Sequence, residues 1–462
     1  MSAELDIAAQ VLELVRHRAP NAAAEVFVET HRLALTRFAN SFIHQNVADE
    51  GTSVWLRLHH DGRTAIGSAN IGPLSSLDDF VARTLTASQL LPVDPSWPGL
   101  NGAESAEAAL HGQNNLDEAT FHASPDDRAA VVRAFVDAAE GLPTAGYCRT
   151  TGSTAAYANT AGRSVTGAAS TAAVDAIART PSSDGVARIA SVRLSDMDGA
   201  RLGAVAVAKA RAGTEPVTLP AGQYPVVLEP AAVIDVLISL GLYGFNGKAL
   251  LERRSFIAPG EAQFDPVISL VDDPTLGLPF DIEGTPKRRL NLVTDGVTQT
   301  AVHDRRTAAA LKVSSTGHAI AGGARLGPFP QNLLLSPAPE APAGSSTVDD
   351  LPIADPSVAP LIAGMERGLL VSDLWYTRVL DPRTVVMTGL TRNGVWLIEN
   401  GELVRPVRNL RFTQSYPSAL APGAVRAVGS RAITIPYNWG LLTATAPALA
   451  VESWNFTGDA TG

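Results

Sequence analysis

EPAAVIDVLISLGLYGFNGK, residues 229–248, decides how the second half of this chain folds. Pro230 opens a stretch of helical length at the first helical position, where its missing N–H has no bond to lose. Ala231, Val233, Ile234, Leu237, Ile238 and Leu240 put apolar surface all round it, so the pattern predicts a core helix over 230–243. Asp235 and Ser239, one turn apart, leave a single narrow polar stripe. The sequel GLYGFNGKA at 241–249 is close to a phosphate-binding loop, but Leu242 stands where the first glycine belongs and Ala249 replaces the hydroxyl residue. A helix end capped by glycine is the simpler reading.

Working outward, RAGTEPVTLPAGQYPVV at 211–227 carries three prolines and two glycines and separates the helix from what precedes it. The expected architecture is α+β in two domains. The first, 1–215, combines helices with antiparallel strands; the second, 222–462, is rich in strands. In the first, a helix is expected at 4–17 and strands in AEVFVETHR, ALTRFANSFIHQNV and GTSVWLRLHHDGRTAIGSAN, broken at Asp49-Glu50-Gly51 and Asp61-Gly62. Further helices are expected at 75–90 and 125–140, the latter capped by Ser124, and strands across 147–179 and 186–197. The Pro-rich stretch at 328–360 reads as a surface loop, and the strands of the second domain are expected to leave open sheet edges.

A length of 462 residues exceeds what one core usually organises. The net charge of −10, with only the short basic pieces ERR at 252–254 and KRR at 287–289, argues against nucleic acid as a partner. Cys148 is the only cysteine, which excludes an internal disulfide or a Cys-based zinc motif and fits a reducing compartment. Glu4, Asp6 and Glu13 do not suit a signal peptide, and no apolar run of membrane-spanning length occurs, so a cytoplasmic location is expected.

The candidate chemistry is thin. His59 and His60 are adjacent in an expected strand and point to opposite faces, while His303 and His318 are isolated. The acidic pairs Asp272-Asp273 and Asp281/Glu283 are the candidates for acid and base, and Asp281, Glu283 and His318 are the candidate residues of a peptide site or of an autonomous hydrolase. Against that, DDP at 272–274 and EGTP at 283–286 are turn compositions in which carboxylates accept backbone hydrogen bonds.

Four blocks, LEPAAVIDVLISLGLYGFNGKALLERRSF, LVDDPTLGLPFDIEGTPKRR, DGVTQTAVHDRRTAAALKVSSTGHA and MTGLTRNGVWLIENGELVRPV, resemble in order and spacing the second half of the TldD/PmbA family of peptidase subunits. In that family a TldD-type chain carries zinc and pairs with a PmbA, or TldE, chain. The resemblance implies that the helix matches the family's His-Glu-x-x-x-His helix, with Asp235 and Leu240 at the two histidine positions and Val236 at that of the glutamate. Leu and Val neither ligate zinc nor move a proton, and residues 424–462 lack the cysteine that serves TldD-type chains as third ligand. The wording FDIEG and SSTGHA places the chain nearer the PmbA side.

The resemblance therefore implies no catalytic residue and no metal ligand here, with zinc expected in a TldD-like partner. It also implies a heterodimer with that partner, or a homodimer, acting on unfolded peptides. A peptide-binding homodimer without protease activity, and an autonomous hydrolase, are the alternatives.

Overall fold

In the computed structural model, which describes residues 2–72, 76–102, 115–274, 277–339, 356–437 and 442–460, the helix expected at 4–17 is α1 (Ala3–Arg18). Ser2 caps it by accepting the Leu5 N–H, and Ala8, Val11, Leu12 and Val15 turn inward as one stripe. They pack on a six-stranded antiparallel sheet made of β1 (Ala23–Ala39), β2 (Phe42–His60), β3 (Arg63–Ile71), β4 (Thr144–Asn159), β5 (Ser164–Arg179) and β6 (Asp184–Ser191), in the order β3-β2-β1-β4-β5-β6.

One expected break is absent. Asp49, Glu50 and Gly51 lie inside β2, opposite Leu33, Arg32 and His31 of an equally continuous β1. The chain turns instead at Asn40 and Ser41, both left-handed with φ of 50° and 60°. Two successive left-handed residues give the turn whose twist matches the flanking strands, and Asn tolerates that conformation. A polar Asp-Glu-Gly run has no such requirement and continues as strand.

Helices cover the sheet. They are α2 (Leu77–Leu90), α3 (Pro125–Asp137), whose Ser124 and Asp127 form a reciprocal capping box, and α4 (Gly199–Ala212). The last was not expected, because alternating Ala and Val at 204–208 imitate a strand's period of two.

Downstream, β7 (Gly222–Leu228) leads through Glu229 into α5 (Pro230–Tyr243), as the opening pattern predicts. Gly244 ends α5 but in the right-handed region, with φ −99°. Its missing side chain supplies room rather than conformation, since a Cβ there would lie 2.2 Å from the Phe256 ring.

A mixed sheet, β8 (Leu270–Asp272), β9 (Leu290–Thr294), β10 (Val297–Thr298), β11 (Leu333–Leu335), β17 (Ile433–Tyr437) and β18 (Leu442–Ala446), runs in the order β10-β9-β8-β11-β18-β17. Within the Pro-rich stretch, the three leucines of β11 are thus a strand between β8 and β18 and not part of a surface loop; residues 340–355 lie outside the described residues. Asp272 ends β8, so that part of DDP is strand and not turn.

The third sheet narrows the expectation of open edges, which holds for the mixed sheet ending at β10 and β17 but not here. β12 (Arg367–Asp381), β7, β19 (Leu449–Asp459), β15 (Leu410–Ser415) and β13 (Val386–Glu399) pair in that order, and β13 pairs back to β12, closing a five-stranded barrel. β14 (Glu402–Pro406) and β16 (Val425–Val428) are added outside the ring. Within the ring of five strands, closure leaves no edge for strand addition. α5 packs between the barrel strand β12 and the strands β11, β17 and β18, and its apolar residues join those of both sheets in one core. The whole is α+β, and no helix among the described residues is long and apolar enough to cross a membrane.

Candidate functional site

α5 buries almost everything it carries. Val236 and Leu240 are each 1% exposed, and so is Asp235, the one acid on the helix. Three hydroxyls converge on its carboxylate: Tyr416 donates to Oδ1 at 2.7 Å, Tyr437 to Oδ2 at 2.8 Å and Thr377 to Oδ2 at 2.9 Å. They come from the segment after β15, from β17 and from β12, so this polar contact ties α5 to both sheets. None of the three was legible beforehand, because they lie 142 to 202 residues away in the chain. The only available signal was an acid on an otherwise apolar helix, which demands buried donors.

Burial pushes the Asp235 carboxyl up to about 6 from 3.8, although the three hydroxyls pull the other way, and Asp373 nearby adds a smaller upward push. The folded protein thus holds this proton to higher pH than the unfolded chain does. It binds more protons between the two values, and stability falls as pH rises from about 4 to 6. Two units correspond to about 3 kcal/mol. Asp235→Asn lacks this component, so urea unfolding of the two proteins is expected to diverge in the variant's favour by about that amount between pH 4 and 7. Parallel pH profiles would show that the carboxyl is not desolvated.

Asp281, Glu283 and His318 come close in space, but each is already engaged. Asp281 accepts the N–H groups of Glu283, Thr285 and Ala319 at 2.9, 2.9 and 2.8 Å, the backbone-accepting behaviour anticipated for a turn. Burial, followed by the charge of Glu283, raises its pKa. Gly284 completes the turn at φ 65°, and a Cβ there would meet the Tyr157 ring at 2.3 Å.

The tight fit inserts Glu283 into the first half. There Arg57 contacts it at 2.6 Å and Arg305 at 3.2 Å, and these two arginines lower its pKa against the effect of burial. Glu25 completes the cluster, accepting from Arg57, from Arg305 and from the Tyr157 hydroxyl. His318 is 0% exposed, with Nε2 at 2.9 Å from Asp272 and Nδ1 at 2.9 Å from the Thr316 hydroxyl. The Asp272 pair has the form of a base and its orienting acid, yet substrate cannot reach it. His303 is buried as well, and burial pushes its pKa down to about 4.

A helix-covered antiparallel sheet joined to a closed barrel, with a buried helix between the barrel and a second sheet, is the architecture of a known class of peptidase-related chains. TldE from Thermococcus kodakarensis matches it with a TM-score of 0.82 at 17% identity, covering 99% of this chain and 100% of that one. A Thermotoga maritima protein described as a candidate modulator of a DNA gyrase matches with 0.81 at 18% identity, covering 98% and 100%. At those identities the likeness shows the fold.

The family profile of the PmbA/TldA metallopeptidase C-terminal domain matches residues 221–458, and the chain belongs to the PmbA/TldD family. A metalloprotease TldD homolog from Haemophilus influenzae is 29% identical over 217 residues. That match spans 44% of this chain and 40% of the relative, less than half the length of either.

The zinc that the family name implies does not fit the residues of α5. Both oxygens of Asp235 are occupied by hydroxyl donors, and Val236 and Leu240 have no donor atom. Among the described residues no three His, Cys, Asp or Glu side chains gather as a ligand set.

Proposed function

We propose that this chain is the non-catalytic, PmbA/TldE-like subunit of a cytoplasmic zinc-dependent metallopeptidase that processes unfolded peptides, its TldD-like partner supplying metal and base. The observation that carries this reading is the consumption of Asp235, Val236 and Leu240 by packing and hydroxyl contacts, at the helix positions where the family resemblance puts the metal motif. The names of the relatives, a TldE and a TldD homolog, support the same pairing. The engagement of Asp281, Glu283 and His318 in internal contacts supports this reading over that of an autonomous hydrolase.

The test is a digest of unstructured peptides by the chain alone, by a TldD-like subunit from the same host alone, and by both, with and without chelator. Cleavage is expected only from the pair, and it should stop on chelation. Chelator-resistant cleavage by the isolated chain would establish an autonomous enzyme. Full activity of the partner alone would leave this chain without the proposed role. Purification of the chain from its host as a self-dimer, with no TldD-like protein attached, would favour the peptide-binding homodimer.

A further inference from the structure

Residues 279–287 form a hairpin between the two halves: Phe280 pairs with Pro286, and the Lys287 N–H donates to the Pro279 carbonyl at 2.9 Å. Its tip carries Glu283 into the arginine cluster. Its base carries Lys287, which is 5% exposed and forms no ion pair among the described residues. The ammonium has three N–H donors. It donates to a single neutral atom, Oε1 of Gln331, at 2.5 Å.

A buried charge in that condition is costly, and proteins pair it, neutralise it or reserve it for a ligand. Burial depresses the Lys287 pKa, while Asp272, Asp281 and Glu29 oppose that effect. Neither Asp272 nor Asp281 forms an ion pair with it: Asp272 accepts from His318 and the Asn332 N–H, and Asp281 from three backbone donors.

Lys287 lines a cleft of about 410 Å³, within the size range of small-ligand pockets. β4 contributes Thr151 and Ser153 to one wall and β5 contributes Ser170 and Thr171. The Thr151 and Thr171 hydroxyls bond each other at 2.6 Å and Ser170 donates to the Val192 carbonyl, so Ser153 is the hydroxyl on this wall that offers a donor. Phe27, Phe280 and Ile320 supply apolar surface beside them, and Glu29 also lines the cleft.

We propose that this cleft binds the free C-terminal carboxylate of a short peptide, with Lys287 as its counter-charge. A monoanion attached to an apolar side chain suits one ammonium, the Ser153 hydroxyl and aromatic walls. A dianionic phosphate does not suit a site with three carboxyl groups around its single cation. Glu29 provides a second pole that fits the amino end of a very short peptide. The proposal deepens the reading of the chain as a peptide-handling subunit and rests on that reading for the class of ligand.

The experiment is calorimetric titration of the purified chain with N-acetyl-Ala-Ala-Leu as free acid and as amide, with acetate and inorganic phosphate as separate titrants. The acid is expected to bind at least tenfold more tightly than the amide and than either small anion. Lys287→Met is expected to reduce the acid to the amide's affinity, with an unchanged circular dichroism spectrum as the check on folding. In the unmutated protein, the acid should shield Lys287 from reductive methylation, read by mass spectrometry, so the proposal remains testable if the variant does not fold.

Equal affinity for acid and amide would overturn the proposal, as would an acid preference that survives in Lys287→Met. Acetate or phosphate binding as tightly as the peptide acid would overturn the assignment to a peptide end. No partner and no zinc enter this assay, so its failure leaves the subunit reading standing. Cleavage by the assembled pair, equally, would not rescue the cleft.

Discussion

Arg305→Met is expected to lower the free energy of unfolding by about 3–5 kcal/mol, the range for removing one partner from a buried ion cluster. Arg305 donates through Nη2 to both oxygens of Glu25 at 2.6 and 2.5 Å, through Nη1 to the Gly99 carbonyl at 2.7 Å, and lies 3.2 Å from Glu283. Its loss leaves two buried carboxylates sharing Arg57 as their remaining guanidinium. The penalty comes chiefly from those stranded charges and less from any large net gain that the intact cluster provides.

The cluster also joins the two halves, since Glu25 and Arg57 come from the first sheet while Glu283 and Arg305 come from beyond α5. Urea unfolding followed by intrinsic fluorescence is the measurement. A midpoint shift no larger than that of an exposed pair such as Arg16 and Glu13 would show that the cluster is open to water.

Leu240→Ala is expected to lower stability by about 2–5 kcal/mol, through lost burial and the cavity left behind. Leu240 is 1% exposed, on a helix enclosed by strands of two sheets. Its carbonyl also accepts the Gly244 and Phe245 N–H groups, so the backbone that ends α5 is anchored at the same residue. An unchanged denaturation midpoint would mean that the position is not packed, and the argument that the helix serves as core would fail with it. The expected loss separates a helix used for packing from one kept for chemistry, because replacing a residue at a solvent-filled catalytic position leaves no cavity behind.

Local patterns in the sequence reached α1, α3 with its Ser124 cap, and α5 from Pro230 to Tyr243, because capping chemistry and apolar spacing act over a few residues. They failed where the deciding partner was distant or the period ambiguous. The Asn40-Ser41 turn was hidden behind a more polar run, and the Ala-Val alternation concealed α4. Barrel closure depends on β13 meeting both β12 and β15, a fact with no local trace.

The site divided in the same way. The apolar character of Val236 and Leu240 could be read directly from the residues. The hydroxyls of Thr377, Tyr416 and Tyr437 that satisfy Asp235 could not, nor could the engagement of Lys287 by Gln331.

The barrel also sets an order of events during synthesis. β7 takes one neighbour, β12, about 140 residues later in the chain, and the other, β19, some 220 residues later. Until Leu449–Asp459 has left the ribosome, β7 has one bare flank and α5 has only part of its covering. The first sheet needs nothing beyond Ser191 to complete its strands, so it can assemble while the rest is still being translated. The interval between these events is when apolar β7 and α5 most need protection, and a nascent chain stalled before residue 449 should be the form that chaperones retain.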